Sequence, residues 1–328
     1  MKSQLASGFE KIAATENLLE AWREFLPGKR GKCDVQEFQL RLMDNILSLN
    51  SDLVNGHYRH GGYQAFKISD PKPHDIHKAA VRDRLLHHAI YRQLYPFFDR
   101  TFIADSFSCR DGKGTHAAMD RFQKFGRIVS RNNTRTCWVL KCDIKKFFAN
   151  IDHRTLVEVI SQYTSDKRLV WLLREIVDSF SSPIQPSIGL PLGNLTSQLF
   201  VNIYMNEFDQ FMKHHMRAKY YIRYADDFAI FSPNREWLKV ILPEISNFLR
   251  NRLRLSLHPK KISIATMASG IDFLGWVHFP DHRVLRTSTK RRMIKRILHT
   301  EKNETLASYR GLLAHGNAEK IKGEYLPD

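Results

Sequence analysis

The chain has 328 residues, with 51 Lys or Arg against 34 Asp or Glu, a formal net charge of +17. Its 43% hydrophobic content is enough for a core and excludes wholesale disorder, and its apolar runs are broken by charge well before the roughly 18 residues that a membrane span needs. The opening residues, MKSQLASGFEKIAATENLL, lack the apolar core of a secretion signal. The expectation is a cytoplasmic protein, not a membrane protein, whose basic excess suits a polyanion.

At about 150 residues per domain, the length allows two packing units or one large subdivided domain. Apolar residues at helical spacing predict helices over 15–25 and 35–53, the second ended by Asn55-Gly56. Residues 58–78 read as short strands and turns, broken by Gly61-Gly62 and Pro71-Lys72-Pro73. Helices follow over 81–98 and 115–130, the latter entered from the turn Asp111-Gly112-Lys113-Gly114. TCWVLKCDI (136–144) alternates, with Trp138, Leu140, Cys142 and Ile144 on one face and Val139, Lys141 and Asp143 on the other, which predicts a strand with one apolar face. Helices at 154–163 and 168–180, a Ser/Pro/Gly loop at 181–194 and a long helix at 196–215 come next. After a hairpin at 219–232 there follow a helix at 236–252, strands at 261–265 and near 273–279, and a basic helical stretch from 289. Strands and helices interleave without strict βαβ order, so the fold class is α+β. Cys33, Cys109, Cys137 and Cys142 form no Cys-x-x-Cys pair and, with the histidines, no zinc spacing; they read as buried free thiols.

The hairpin segment KYYIRYADDFAIFS (219–232) carries the chemistry. Two aromatic, β-rich arms flank Asp226-Asp227, where a purely structural turn would favour Asn-Gly or Asp-Gly. Adjacent carboxylates repel, so a cation should compensate. A third carboxylate, Asp143, sits near the end of its strand, on the face away from the apolar residues. An ionised Asp there needs water, a partner or a metal. If the two segments lie side by side, three carboxylates converge, and hard cations such as Mg²⁺ prefer oxygen ligands. Two such ions about 3.5–4 Å apart suit a phosphoryl transfer. Taken singly, each Asp is an ordinary turn or surface residue.

Tyr224-Ala225-Asp226-Asp227 resembles the Tyr-x-Asp-Asp box of reverse transcriptases, and CDIKKFFANIDH (142–153) the preceding catalytic box of bacterial reverse transcriptases, including those of group II introns. Within GLPLGNLTSQLFVNIYMNEFDQF (189–211), the run from Gly193 to Gln198 resembles the Gly-x-x-x-Ser-Gln box of diversity-generating retroelement enzymes. The resemblance extends in order through KPHDIHKAAVRDRLLHHAI (72–90), SCRDGKGTHAAM (108–119), LHPKKISI (257–264), GIDFLGW (270–276) and SYRGLLAHGNA (308–318), nearly the whole chain.

The resemblance implies a right-hand polymerase, with fingers over 1–135, palm with an antiparallel sheet over 136–275 and a short helical thumb over 276–328. It implies that Asp143 and Asp226 ligate two Mg²⁺ ions, with Mn²⁺ as a substitute, that Asp227 completes the triad and that the Ile144 carbonyl is a further ligand. A primer 3′-hydroxyl would attack a dNTP and pyrophosphate would leave. Phe148, five residues after Asp143, would lie under the sugar and exclude a 2′-hydroxyl, with Phe147 packed inward. Gln198 would contact the incoming nucleotide. Lys261 would approach the triphosphate, with Lys260 as the alternative. His74 stands where related polymerases carry Arg; it is shorter and presents fewer donors, so Lys72, Arg82 or Arg84 would have to compensate. Arg286, Lys290, Arg291, Arg292 and Lys295 in RTSTKRRMIKR (286–296) would lie along an RNA–DNA duplex and contact phosphates without reading sequence.

The expected function is an RNA-directed DNA polymerase that makes error-prone, adenine-mutagenic cDNA from a template-repeat RNA. The implied partners are template RNA, primer and cDNA, dNTPs and a small basic pentameric accessory variability determinant. At this length the maturase, DNA-binding and endonuclease segments of intron-encoded enzymes and an RNase H domain are not expected. A retron-like or phage-defence reverse transcriptase is the alternative enzyme. A catalytically silent RNA-binding relative is the alternative of another class, against which the intact Asp143/Asp226/Asp227 set argues.

Overall fold

The computed structural model describes residues 4–5, 8–69, 73–182, 185–299 and 302–326, and of Ser69, Pro73 and His74 the backbone only. The chain divides into two compact units interleaved in sequence: Met1–Ile103, Lys145–Phe211 and Asn247–Ser256 form the first, Ala104–Ile144, Met212–Ser246 and Leu257–Asp328 the second.

The first unit is mostly helical. Helix Thr15–Phe25 buries Leu18, Ala21, Trp22 and Phe25, and it packs with helix Val81–Asp99, which buries Leu85, Leu86, Ala89, Ile90 and Leu94. The expected helix over 35–53 is two, Cys33–Leu40 and Leu42–Val54: Arg41 leaves helical geometry at φ −123°, and the Asn45 side chain donates to the Phe38 carbonyl at 2.9 Å. Strands β1 (Tyr63–Ser69) and β2 (Pro73–Ala79) form an antiparallel hairpin. Helices His153–Ser161 and Lys167–Asp178 start on Asp caps: Asp152 accepts from the Thr155 amide at 2.8 Å, and Asp166 from the Arg168 and Leu169 amides at 3.0 Å. Helix Leu195–Gln210 starts one residue before its expected position, and the winding widens over Phe211–His215.

The second unit is built on a four-stranded antiparallel sheet. Strand β3 (Trp138–Asp143) is central, flanked by β5 (Asp227–Ser232) and β6 (Ser263–Thr266), with β4 (Tyr221–Tyr224) beyond β5. The expectation of one apolar face on β3 is corrected. Val139, Leu140 and Cys142 are all fully buried, because a central strand is covered on both sides, whereas Trp138 is only half-buried. Val139, Phe231 of β5 and Ile222 of β4 pack with Phe122, Phe125 and Val129 of helix Thr115–Ser130. Along this face the residues change character toward one end: Val139, Lys141, Asp143 on β3, with Phe231, Ala229, Asp227 opposite them. The helix covers the apolar end, and the acidic end is left for chemistry.

The segment near 273–279 is two strands, β7 (Ile271–Phe273) and β8 (Trp276–His278), followed by an unexpected β9 (Arg283–Leu285). Leu274 and Gly275 make the turn, both at positive φ (51° and 85°). The sequence hides this turn because Leu is not a turn residue. β6 starts two residues late because Pro259–Lys261 forms a turn of its own, in which the His258 ring accepts from the Lys260 amide at 3.3 Å. Helix Thr287–Ile297 buries Met293 and Ile297 with Trp276, Leu285, Leu313 and Met119. Helices Asn303–Leu313 and Glu319–Tyr325 follow it. Cys137 and Cys142 are buried, but Cys33 and Cys109 are exposed free thiols, against the expectation for all four.

Candidate functional site

The hairpin turn lies one residue earlier than the sequence suggests. Tyr224 pairs with Asp227, so the turn residues are Ala225 and Asp226, and Asp227 is the first residue of β5. Ala225 holds φ at +53°, at a position where a two-residue hairpin usually takes Gly. Such a geometry costs roughly 1–3 kcal/mol and persists only when its surroundings enforce it. Arg223 is part of that enforcement. It is 0% exposed, its Nη1 donates to the Ala225 carbonyl and its Nη2 to Ser106 Oγ, both at 3.0 Å. The same strand is held along its outer edge, where the Arg223 amide donates to the Asp105 carbonyl and the Phe107 amide to the Arg223 carbonyl, each at 3.0 Å. Thr115 Oγ1 lies 3.1 Å from the Tyr224 hydroxyl.

The register sets Asp143 directly opposite Asp227, so both side chains leave the sheet on one face. Asp226 stands on the adjoining turn, and its carbonyl accepts from the Ile144 amide at 3.1 Å. The sheet thus brings Asp143, Asp226 and Asp227 to one end. It does not close them into a ready cluster: among the described residues no group of three His, Cys, Asp or Glu is arranged to hold a metal ion. Each facing carboxylate has a lysine instead. Lys261 Nζ is 2.7 Å from Asp143 Oδ2, and Lys141 Nζ is 3.2 Å from Asp227 Oδ2. Of the alternatives Lys260 and Lys261, it is Lys261 that reaches a carboxylate.

Burial, then the charge of Asp143, pushes the Asp226 carboxyl above its ordinary range. Burial pushes Asp227 up to about 7, with Asp143 and Asp226 adding to the rise and Lys141 opposing it. Asp227 Oδ1 is buried without a hydrogen-bond partner. All-oxygen donors, mutual repulsion and an unpartnered carboxylate oxygen fit a hard divalent cation. Burial also pushes the neighbouring Cys142 thiol up to about 12, which keeps it protonated and unreactive. Beside the carboxylates is a cavity of about 450 Å³, lined by Lys141, Asp143, Asp227, Lys261, Asp272 and Arg286 among others. Arg286, expected along a duplex, pairs here with Asp272 at 2.9 Å. Lys141 and Arg223 are site residues that the motif boxes did not contain, and Asp272 lies within GIDFLGW (270–276) without being singled out. Lys141 also had a signal in its place two residues before Asp143 on the same strand face.

Phe148 opens a single turn, Phe148–Asn150, and is half-buried; Phe147 is buried, its ring 5.6 Å from that of Phe148 at 76°. Gln198 is in the first turn of helix Leu195–Gln210, and just before that helix the Asn194 side chain donates through Nδ2 to the His77 carbonyl at 3.0 Å. Arg82 is ion-paired with Asp52, and Arg84 with Asp34 while lying over the Phe25 ring. Lys72 lies outside the described residues; His74 pairs with Ile68 in the hairpin ladder. Lys290 is half-buried and Arg291, Arg292 and Lys295 are exposed on helix Thr287–Ile297, whose Met293 and Ile297 face inward. No described helix is long and apolar enough to cross a membrane.

Protein YkfC of Escherichia coli (strain K12) is 26% identical over 292 residues, 77% of this chain and 74% of that protein. The group II intron-encoded protein LtrA of Lactococcus lactis subsp. cremoris is 23% identical over 276 residues; the match takes in 64% of this chain and 44% of LtrA. Apo telomerase from Candida tropicalis, truncated from its C-terminal domain, aligns with a TM-score of 0.51 at 14% identity, over 69% of this chain and 55% of that one. This last likeness is one of fold, and the fold is of the right-hand polymerase type. A family model described as reverse transcriptase (RNA-dependent DNA polymerase) matches residues 71–278. That span exceeds half the chain and contains Asp143, Asp226 and Asp227, and the chain therefore belongs to the reverse transcriptases, the family of RNA-directed DNA polymerases.

Proposed function

We propose that this reverse transcriptase copies a template-repeat RNA of a diversity-generating retroelement into cDNA, with errors directed to template adenines. The polymerase part rests on one observation, the acidic end of β3 and β5 beside a cavity lined with lysine and arginine. The retroelement part rests on the box from Gly193 to Gln198. In this reading 1–135 are fingers, 136–275 palm and 276–328 thumb.

Reverse transcriptases as a family use divalent metal ions. Here Asp143, Asp226 and the Ile144 carbonyl would hold two Mg²⁺ ions, or Mn²⁺ in their place, with Asp227 completing the set. Bound there, the ions supply positive charge to the primer 3′-hydroxyl and to the phosphates that leave. The chain's own residues do the rest. Lys261, half-exposed on a turn, swings from Asp143 to the triphosphate and gives its proton to the pyrophosphate. Phe148 screens the sugar and Gln198 meets the base pair. Lys290, Arg291, Arg292 and Lys295 bind the duplex backbone, which gives affinity without sequence readout. Lys72, Arg82 and Arg84 are the candidate triphosphate contacts where His74 replaces Arg. A small basic pentameric accessory protein would be its partner.

The test is Mg²⁺-dependent dNTP incorporation on primed RNA by the wild type and Asp226→Ala, followed by sequencing of the cDNA. Asp226→Ala should lose at least about 100-fold in rate. Equal activity in both would defeat the polymerase site. Errors spread evenly over the four template bases would defeat the retroelement reading and favour a retron-like enzyme.

A further inference from the structure

Lys141 belongs to none of the boxes that carry the family resemblance, yet it is built into the acidic end of the sheet. Strand alternation places it on the face of Asp143, two residues earlier. Ala229 stands directly opposite, and its single methyl leaves room for the lysine stem to run along the sheet toward Asp227. The ammonium reaches Asp227 Oδ2 at 3.2 Å, and both side chains keep only 19% exposure. At that burial a charge pair is felt far more strongly than on an open surface. The other oxygen, Oδ1, is buried and has no hydrogen-bond partner. The lysine therefore holds Asp227 by one oxygen and leaves the second uncommitted.

Lys261 is built differently. It pairs with Asp143 at 2.7 Å, but from a turn, and its side chain is 48% exposed. It can leave its carboxylate when a phosphate arrives. Lys141 sits on a central strand hydrogen-bonded on both sides, so its stem starts from a fixed backbone position, and its side chain is only 19% exposed against 48% for Lys261.

We propose that Lys141 is a positioning residue of the active site: it clamps Asp227 by one oxygen beside Asp143, and its fixed positive charge keeps divalent-cation binding loose enough for turnover. This rests on the reverse-transcriptase reading of the carboxylates. Two consequences follow in opposite directions. Without the lysine charge the acidic end binds a divalent cation more tightly. Without the clamp Asp227 is no longer held in place, and turnover slows.

The experiment uses the full chain and Mn²⁺ as probe, with bound and free ion distinguished by electron paramagnetic resonance, beside primed-RNA kinetics and thermal unfolding. Lys141→Met should bind Mn²⁺ about 10-fold more tightly while kcat falls about 10-fold or more, with the KM for dNTP changing by less than about 3-fold. Lys141→Arg keeps the charge and should stay within about 3-fold of the wild-type Mn²⁺ affinity. Lys141→Gln, uncharged but with a polar end, carries the test if the Met variant does not fold. A merely structural lysine would lower the unfolding midpoint and weaken Mn²⁺ binding and kcat together. Unchanged or weaker Mn²⁺ binding in a folded Met or Gln variant overturns the proposal, as does an Arg variant that binds like them. The underlying reading fails separately, if Asp226→Ala matches the wild type in incorporation.

Discussion

Asp227 is a heavily perturbed acid of the site, and Asp227→Asn isolates what its charge costs the fold. Burial, Asp143 and Asp226 raise its carboxyl from 3.8 to about 7 in spite of Lys141. A tenfold change in proton affinity corresponds to about 1.4 kcal/mol, so ionising Asp227 in the native protein costs on the order of 3 kcal/mol after some relaxation. An acid raised above its unfolded value contributes stability that is full below about 3.8 and is lost as the pH climbs through about 7. Asn does not ionise. The variant should therefore gain on the wild type as the pH rises from 5 to 8, reaching several degrees at roughly 1.5 °C per kcal/mol for a chain of this size. Thermal unfolding in EDTA, followed by circular dichroism across that range, reads the difference directly. Polymerisation in Mg²⁺ should fall even as stability rises, a trade-off expected where function requires clustered charge. An Asn variant less stable than the wild type at pH 8 in EDTA would refute the reasoning, because the Lys141 pair would then outweigh burial and repulsion.

Two backbone positions give further tests. Gly193 has φ at +98°, and a Cβ there would lie 2.9 Å from Ile76 Cγ2, so Gly193→Ala should cost about 1–3 kcal/mol in urea unfolding; an unchanged midpoint would show that the loop yields freely. Ala225, at φ +53°, should accept Gly with an equal or higher unfolding midpoint. Ala225→Val should lose more than about 1 kcal/mol, since a branched Cβ crowds the left-handed region. Equal midpoints for the two variants would remove the claim that this turn is strained.

Much of the site was legible in the sequence because its signals are local. Helices Thr15–Phe25 and Thr115–Ser130 begin and end where their apolar spacing places them. Alternation put Asp143 on the face of Lys141, and the aromatic arms around Asp226-Asp227 read as a hairpin. The ordered motifs pointed to the family to which the chain belongs. What periodicity could not supply was the neighbour across each strand. Burial of Val139 depends on β3 being central, which only the pairing with β5 and β6 decides. The turn at Leu274-Gly275 escaped because backbone pairing imposes positive φ on a residue that does not favour it.

The residue types and their order determined by themselves that this is a basic α+β chain with a small acidic centre. The tertiary structure alone decided that Asp143 faces Asp227, that Lys141 and Lys261 divide the two carboxylates between them, and that Arg223 lies fully buried under the strained turn. Charge content is additive along a chain and can be summed from its letters. The partner of each charge is set by register and burial, and those exist only once the strands have paired.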